Sequence, residues 1–206
     1  AAAAPARERG AAGAGAHVLV RGLGLQRGGR WLFRDVSLDV PQGAFVAVVG
    51  PSGVGKTSFL GCLAGRLEPT AGQVLLRPAA GEPRPPSDLQ SRLGIIFQGN
   101  LLVANATLLS NVLCGRLGRY PWWRTLRGFP SADRDRALAV MTDLGLGPLV
   151  HRWVCETSGG EQQRTAVARA LFQEPDLYFA DEPVSNLDTY LSGRVLGLLR
   201  GEAQRG

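Results

Sequence analysis

The chain has 206 residues, 45% hydrophobic and 19% charged, with a net charge of +6 and a mean hydropathy of 0.00. That length makes one domain, or one with a small insertion, and can bury a sizeable core. Its longest apolar run, near Ala44–Val49, is strand-sized and far short of the ~20 residues a bilayer span requires. Three cysteines (Cys62, Cys114 and Cys155), with no CxxC pair, exclude a disulfide scaffold and fit a reducing compartment. All but one of the 23 basic residues are arginine, the exception being Lys56. The arginines are scattered, without a basic block or interleaved aromatics, so no nucleic-acid partner is expected.

Taken in chain order, residues 1–16 are Ala/Gly-rich and read as a disordered tail without the apolar core of a signal peptide. Both ends of the chain read as incomplete. His17–Leu25 and Trp31–Val40 alternate as strands around the turn signal Arg27-Gly-Gly-Arg30, and Pro41-Gln-Gly43 closes the pair. Ala44–Val49 is short, apolar and rich in β-branched residues, the pattern of a strand buried on both faces. A glycine-rich loop and a helix to about Arg66 follow. Strands are predicted at Gln73–Leu76 and Leu93–Gln98, separated by the proline-rich loop Arg77–Ser87. Residues 99–158 read as mostly helical, broken near Tyr120-Pro-Trp-Trp123 and Gly128-Phe-Pro130. A helix over about 159–173, a strand at Leu177–Ala180 and a helix over about 189–200 complete the chain. Strands alternating with helices define an α/β class with a parallel sheet. The expected organisation is a core of residues 17–98 and 159–206, with an inserted helical subdomain at 99–158.

Two patterns carry chemistry. Gly50-Pro51-Ser52-Gly53-Val54-Gly55-Lys56-Thr57-Ser58 fits GxxxxGK[ST] between a predicted strand and a predicted helix, the context in which the motif cradles phosphates. Glycines let successive N–H groups turn inward, and the start of the helix adds positive field. Lys56 is a compact charge for the β- and γ-phosphates, and the Thr57 hydroxyl can ligate Mg²⁺. The second pattern, Leu177-Tyr-Phe-Ala-Asp181-Glu182, is an apolar strand ending in two carboxylates. Alternation along a strand points them apart. Asp181 can then face the metal and Glu182 the attacking water as general base.

These motifs resemble the ATP-binding subunits of ABC transporters. Thr157-Ser158-Gly159-Gly160-Glu161-Gln-Gln-Arg164 resembles the family signature, Ser185-Asn186-Leu187-Asp188 the D-loop, and Gln98 the Q-loop glutamine. The segment Asn111–Gly128, with its Gly-Arg-Leu-Gly and Trp-Arg words, is most similar to the ATPase subunits of phosphonate importers. The resemblance implies a P-loop NTPase (RecA-like) core with an N-terminal antiparallel β segment and an inserted helical subdomain. It further implies Mg-ATP, with Gln98 joining Thr57 and Asp181 around the metal. Two cassettes would pair head to tail, as a homodimer or with a related cassette, so that Ser158, Gly159, Gly160 and Glu161 of one close over the nucleotide of the other. The implied partners are a membrane permease and, indirectly, a periplasmic or extracellular solute-binding protein, with the chain on the cytoplasmic face of the membrane.

The sequence departs from the family at several points. Thr157 stands where leucine is usual and Glu161 where glutamine is commonest. The histidine the family carries about 30 residues past the acidic pair is not found in the 24 residues after Glu182; His17 and His151 both lie upstream. The adenine-stacking position falls on Arg27, with Trp31 nearby. These departures motivate an alternative reading, a nucleotide-binding but hydrolysis-deficient cassette. The pair Trp122 and Trp123 reads either as packing within the helical subdomain or as a dock for the permease.

Overall fold

The computed structural model describes residues 16–78, 81–99, 101–121, 123 and 128–205. The expected tail at residues 1–15 and Trp122 lie outside the described residues, whereas Ala16, expected in that tail, is the first residue of a strand.

Strands β1 (Ala16–Arg27) and β2 (Arg30–Pro41) form a hairpin, and β3 (Ala71–Leu76) pairs antiparallel on the other edge of β1, giving the order β2-β1-β3. The alternation of β1 is imperfect for a physical reason. The register shifts between Val20 and Leu23, where Gly22 sits at φ 56°. That bulge turns Val18, Val20, Leu23 and Leu25 all inward, and each is buried. Helix α1 (Lys56–Leu63) lays Cys62 and Leu63 into the same cluster, which also takes Leu89 and Phe179. Burial pushes the Cys62 thiol above its usual range.

Strand β4 (Leu93–Ile96) pairs in parallel with β5 (Leu177–Ala180), Leu93 opposite Leu177 and Ile96 opposite Ala180. Between them lie α2 (Leu108–Leu113), a 3-10 turn (Cys114–Arg119), α3 (Ser131–Asp143) and α4 (Gly159–Gln173); α5 (Thr189–Arg205) follows β5. The helical block is thus more broken than its pattern predicts. Its core joins Leu108 and Val112 of α2, Ala137 and Met141 of α3, and Val167, Ala170 and Phe172 of α4. Spacings of three and four along α4 set one apolar stripe toward that core.

The largest departure from expectation is at the predicted central strand. Ala44–Val49 belongs to no strand, and Phe45, Val46 and Val49 are 48%, 60% and 90% exposed. A strand buried on both faces needs hydrogen-bonded neighbours and a layer above and below. Among the described residues the parallel sheet consists of β4 and β5 alone, and neither pairs with this segment. Residues Ala44–Val48 instead form one wall of a cavity of about 750 Å³ facing β5. Strand β4 also ends at Ile96, so Gln98 lies beyond the strand rather than at its tip.

Candidate nucleotide site

The glycine-rich loop Gly50–Gly55 enters α1 through Gly55, whose φ of 104° and position as N-cap require glycine; Gly53 has φ 76°. Lys56 Nζ donates to the carbonyls of Gly50 at 2.8 Å and Pro51 at 2.9 Å, so the ammonium lies over the loop that it serves. Thr57 and Ser58 follow on the first turn of α1, with Thr57 exposed. Lys56, Asp181 and Glu182 all line the 750 Å³ cavity. Residues far apart in the chain therefore converge on one space. Thr57 and the loop residues before Lys56 are outside its lining.

The acidic pair is held from both sides. Asp181 N–H donates to the carbonyl of Ile96 at 2.9 Å, continuing the β4–β5 pairing. Glu182 takes φ 51°, a left-handed conformation that costs a non-glycine residue on the order of 1 kcal/mol. Its carbonyl accepts from Gln163 Nε2 (3.3 Å), Ser185 N–H (3.3 Å) and Ser185 Oγ (3.2 Å), and those bonds offset the strain. Gln98 Nε2 donates to Glu182 Oε2 at 3.4 Å. Gln98 therefore touches the acid pair directly. Gln163 is 2% exposed and was legible only as part of the signature word; its role as a strut between α4 and Glu182 needed the fold.

At the other end of α4, Ser158 is the N-cap. Its hydroxyl oxygen accepts from Glu161 N–H at 3.3 Å, and Glu161 Oε2 accepts from Ser158 N–H at 2.7 Å, closing a capping box. The Ser158 N–H bond draws the Glu161 carboxyl below its usual range. The glutamate at this position thus has a local task beside any contact to nucleotide. Thr157 also finds a partner: its hydroxyl donates to the Val154 carbonyl at 2.7 Å, which explains how threonine serves here. Gly160 packs closely on the next loop: a Cβ there would lie 3.1 Å from the Asn186 carbonyl, which would have to give by a few tenths of an ångström, and 3.6 Å from Leu187. The two segments that resemble the signature and the D-loop thus pack together in one chain. Asp188 Oδ1 accepts from Leu191 N–H at 2.9 Å and so caps α5. Ser158–Glu161 do not line the cavity that Lys56 and the acid pair share.

The histidines match a packing and a solvent role. His17 is buried, and that burial pushes its pKa down; His151 is exposed. Arg27 is exposed, and the Arg34 guanidinium lies 5.2 Å over the Trp31 ring. Trp123 is exposed. The oxygens offered by Thr57, Asp181 and Gln98 are the hard donors Mg²⁺ prefers, and a site with one or two protein carboxylates leaves room for phosphate and water. No helix among the described residues is long and apolar enough to cross a membrane.

A parallel β pair carrying an acid couple, a P-loop at a helix start and a capped signature helix together define a nucleotide-binding cassette. Residues 33–185 match the family model described as ABC transporter. The chain belongs to the ABC transporter ATP-binding family. It is 39% identical over 181 residues to the phosphonates import ATP-binding protein PhnC of Nitratidesulfovibrio vulgaris, covering 86% of this chain and 68% of that protein. It is 42% identical over 178 residues to PhnC 1 of Natronomonas pharaonis, covering 86% and 73%. Among solved structures it is similar to the dimeric, post-hydrolysis state of the ATP-binding cassette MJ0796 bound to ADP and Pi. The TM-score is 0.78 at 27% identity, covering 91% of this chain and 83% of that one.

Proposed function

We propose that this chain is the ATP-hydrolysing subunit of an importer for phosphonates or a related oxyanion, acting as one of a pair of cassettes on the cytoplasmic face beneath a membrane permease. A solute-binding protein would deliver the oxyanion from outside. The reading is carried by the convergence of Lys56, Asp181 and Glu182 on one cavity, in a chain 38–42% identical to several phosphonate-import ATP-binding proteins.

Gly50–Gly55 would wrap the triphosphate with backbone N–H groups, and Lys56 would move from the Gly50 and Pro51 carbonyls to the β- and γ-phosphates. Thr57, Asp181 and Gln98 would hold Mg²⁺, which supplies neutralisation of developing phosphate charge. Glu182 would accept a proton from the attacking water, with Gln98 orienting its carboxylate. Ser158 and the N–H groups of Gly159 and Gly160 stand at the start of a helix, ready to donate to a γ-phosphate. Paired head to tail, a second cassette would bring them to the nucleotide. ATP then holds two copies together, and its hydrolysis releases them to move the permease.

Mg-ATP-dependent phosphate release, with the chain alone and joined to its permease, tests this. A Glu182→Gln variant is expected to lose about 10²–10⁴-fold, the contribution of a positioned general base. Lys56→Ala is expected to lose binding of a fluorescent ATP analogue. Equal phosphate release by parent and Glu182→Gln would refute the hydrolytic reading and leave the hydrolysis-deficient cassette. Stimulation by a binding protein loaded with methylphosphonate, but not with sulfate, tests the solute.

A further inference from the structure

The Gly-Arg-Leu-Gly word at residues 115–118 lies outside the proposed nucleotide-binding motifs, yet its arginine is among the most buried charged side chains of the described residues. Arg116 is 6% exposed. Its Nε donates to the Phe172 carbonyl at 2.8 Å, one of the last four carbonyls of α4 that have no partner within the helix. Nη1 donates to Asp133 Oδ1 at 2.9 Å, in the first turn of α3, and Nη2 bonds Glu174 Oε2. The guanidinium carbon stands 4.6 Å over the ring of Phe172, which is fully buried. The same end of α4 is gripped further: Arg119 donates to the carbonyls of Gln173 and Glu174, and Arg136 pairs with Glu174. Glu174 itself caps the helix at φ 50°. Asp133 is completed by the Tyr120 hydroxyl, donating to Oδ2 at 2.6 Å. Gly115 explains how the turn gets so close, since a Cβ there would lie 2.6 Å from the Arg169 carbonyl on the α4 backbone.

One planar fork therefore fixes the end of α4 to the start of α3. At the opposite end of the same helix stand Ser158, Gly159 and Gly160. A helix of 15 residues is ~22 Å long. A tilt of ~4° at the anchored end moves the far tip by ~1.5 Å, and a misplacement of ~1 Å can cost ~10²-fold in rate. We infer that Arg116 is a positioning residue for ATP turnover: it sets the pitch of α4, and so the place where the signature donors meet the nucleotide of a second copy. Lysine cannot substitute, because one ammonium cannot reach the Phe172 carbonyl, Asp133 and Glu174 in the fork geometry of guanidinium. The inference rests on the paired-cassette reading above.

The test uses the full chain carrying Glu182→Gln, so that ATP-induced pairing can be followed by analytical ultracentrifugation without turnover, and the Glu182-intact chain for phosphate release. Arg116→Lys is expected to bind a fluorescent ATP analogue within about 2-fold of the parent, since the P-loop is untouched. Its ATP-dependent dimerisation is expected to weaken at least 10-fold, and kcat to fall 10–100-fold. Leu89→Ala, a core truncation beneath the antiparallel sheet, serves as a stability control and should lower the melting temperature without weakening dimerisation of the folded fraction. Should Arg116→Lys not fold, Asp133→Asn removes one charge that Arg116 bonds and carries the same expectation for pairing. Parent-like dimerisation and kcat in a folded Arg116→Lys or Asp133→Asn chain would overturn the inference, as would equal losses in Leu89→Ala. A parent that does not dimerise with ATP would overturn the paired reading itself and this inference with it.

Discussion

Ser158 holds two tasks that substitutions can separate. As N-cap of α4 its oxygen satisfies Glu161 N–H; as a signature residue its hydroxyl hydrogen is proposed to reach the γ-phosphate of a paired cassette. Ser158→Ala removes both. Loss of an N-cap costs about 1 kcal/mol. In a domain of this size that corresponds to a fall of roughly 2–4 °C in melting temperature. Loss of a donor that acts in the transition state costs about 10²–10³ in rate. Ser158→Asp restores a capping oxygen, and the helix dipole favours its charge, but it offers no hydroxyl and repels the phosphate. Ser158→Thr keeps both cap and hydroxyl. Thermal melts and phosphate release on the same three proteins should therefore diverge: alanine loses both, aspartate recovers stability alone, and threonine stays near the parent in each. If aspartate recovered rate along with melting temperature, the activity loss in alanine would be a frayed helix, and the donor role would fail.

Gln163→Met keeps the bulk of the buried side chain but removes the strut to the Glu182 carbonyl. Losing one such bond costs about 1 kcal/mol, and with Glu182 less firmly held kcat should fall while the affinity for ATP stays constant; a parallel drop in affinity would contradict the strut. The Glu161 carboxyl has its folded-state pKa lowered by the Ser158 N–H. Its contribution to stability is therefore complete above the ordinary carboxylate range and lost as pH falls through the folded value. Glu161 is half-buried at a helix start near the surface, where solvent screening holds the effect to a few tenths of a kcal/mol. The difference in melting temperature between parent and Glu161→Gln should be constant near neutrality and shrink below about pH 4.5; an unchanged gap at pH 3 would remove the charge from the cap.

Much of the site was legible in the chain because it is written in local words. Gly55 and Gly53 are needed for positive φ within one turn, Ser158 and Glu161 close a box three residues apart, and Leu177–Ala180 is a short apolar run ending in acids. Each depends on neighbours in sequence, so spacing alone finds it. The boundaries of α4 and β5 follow for the same reason. Burial is another matter. The composition of Ala44–Val49 describes a strand suited to the middle of a sheet, but whether it is buried depends on strands contributed from elsewhere, and here the run stays exposed beside a cavity. Gln163 on the Glu182 carbonyl, Gly160 against Asn186, and Arg116 joining Asp133 to the end of α4 are contacts across 17 to 56 residues of chain. No periodicity encodes them, because a hydrogen bond or a close approach between distant segments exists only once packing has brought both to the same place.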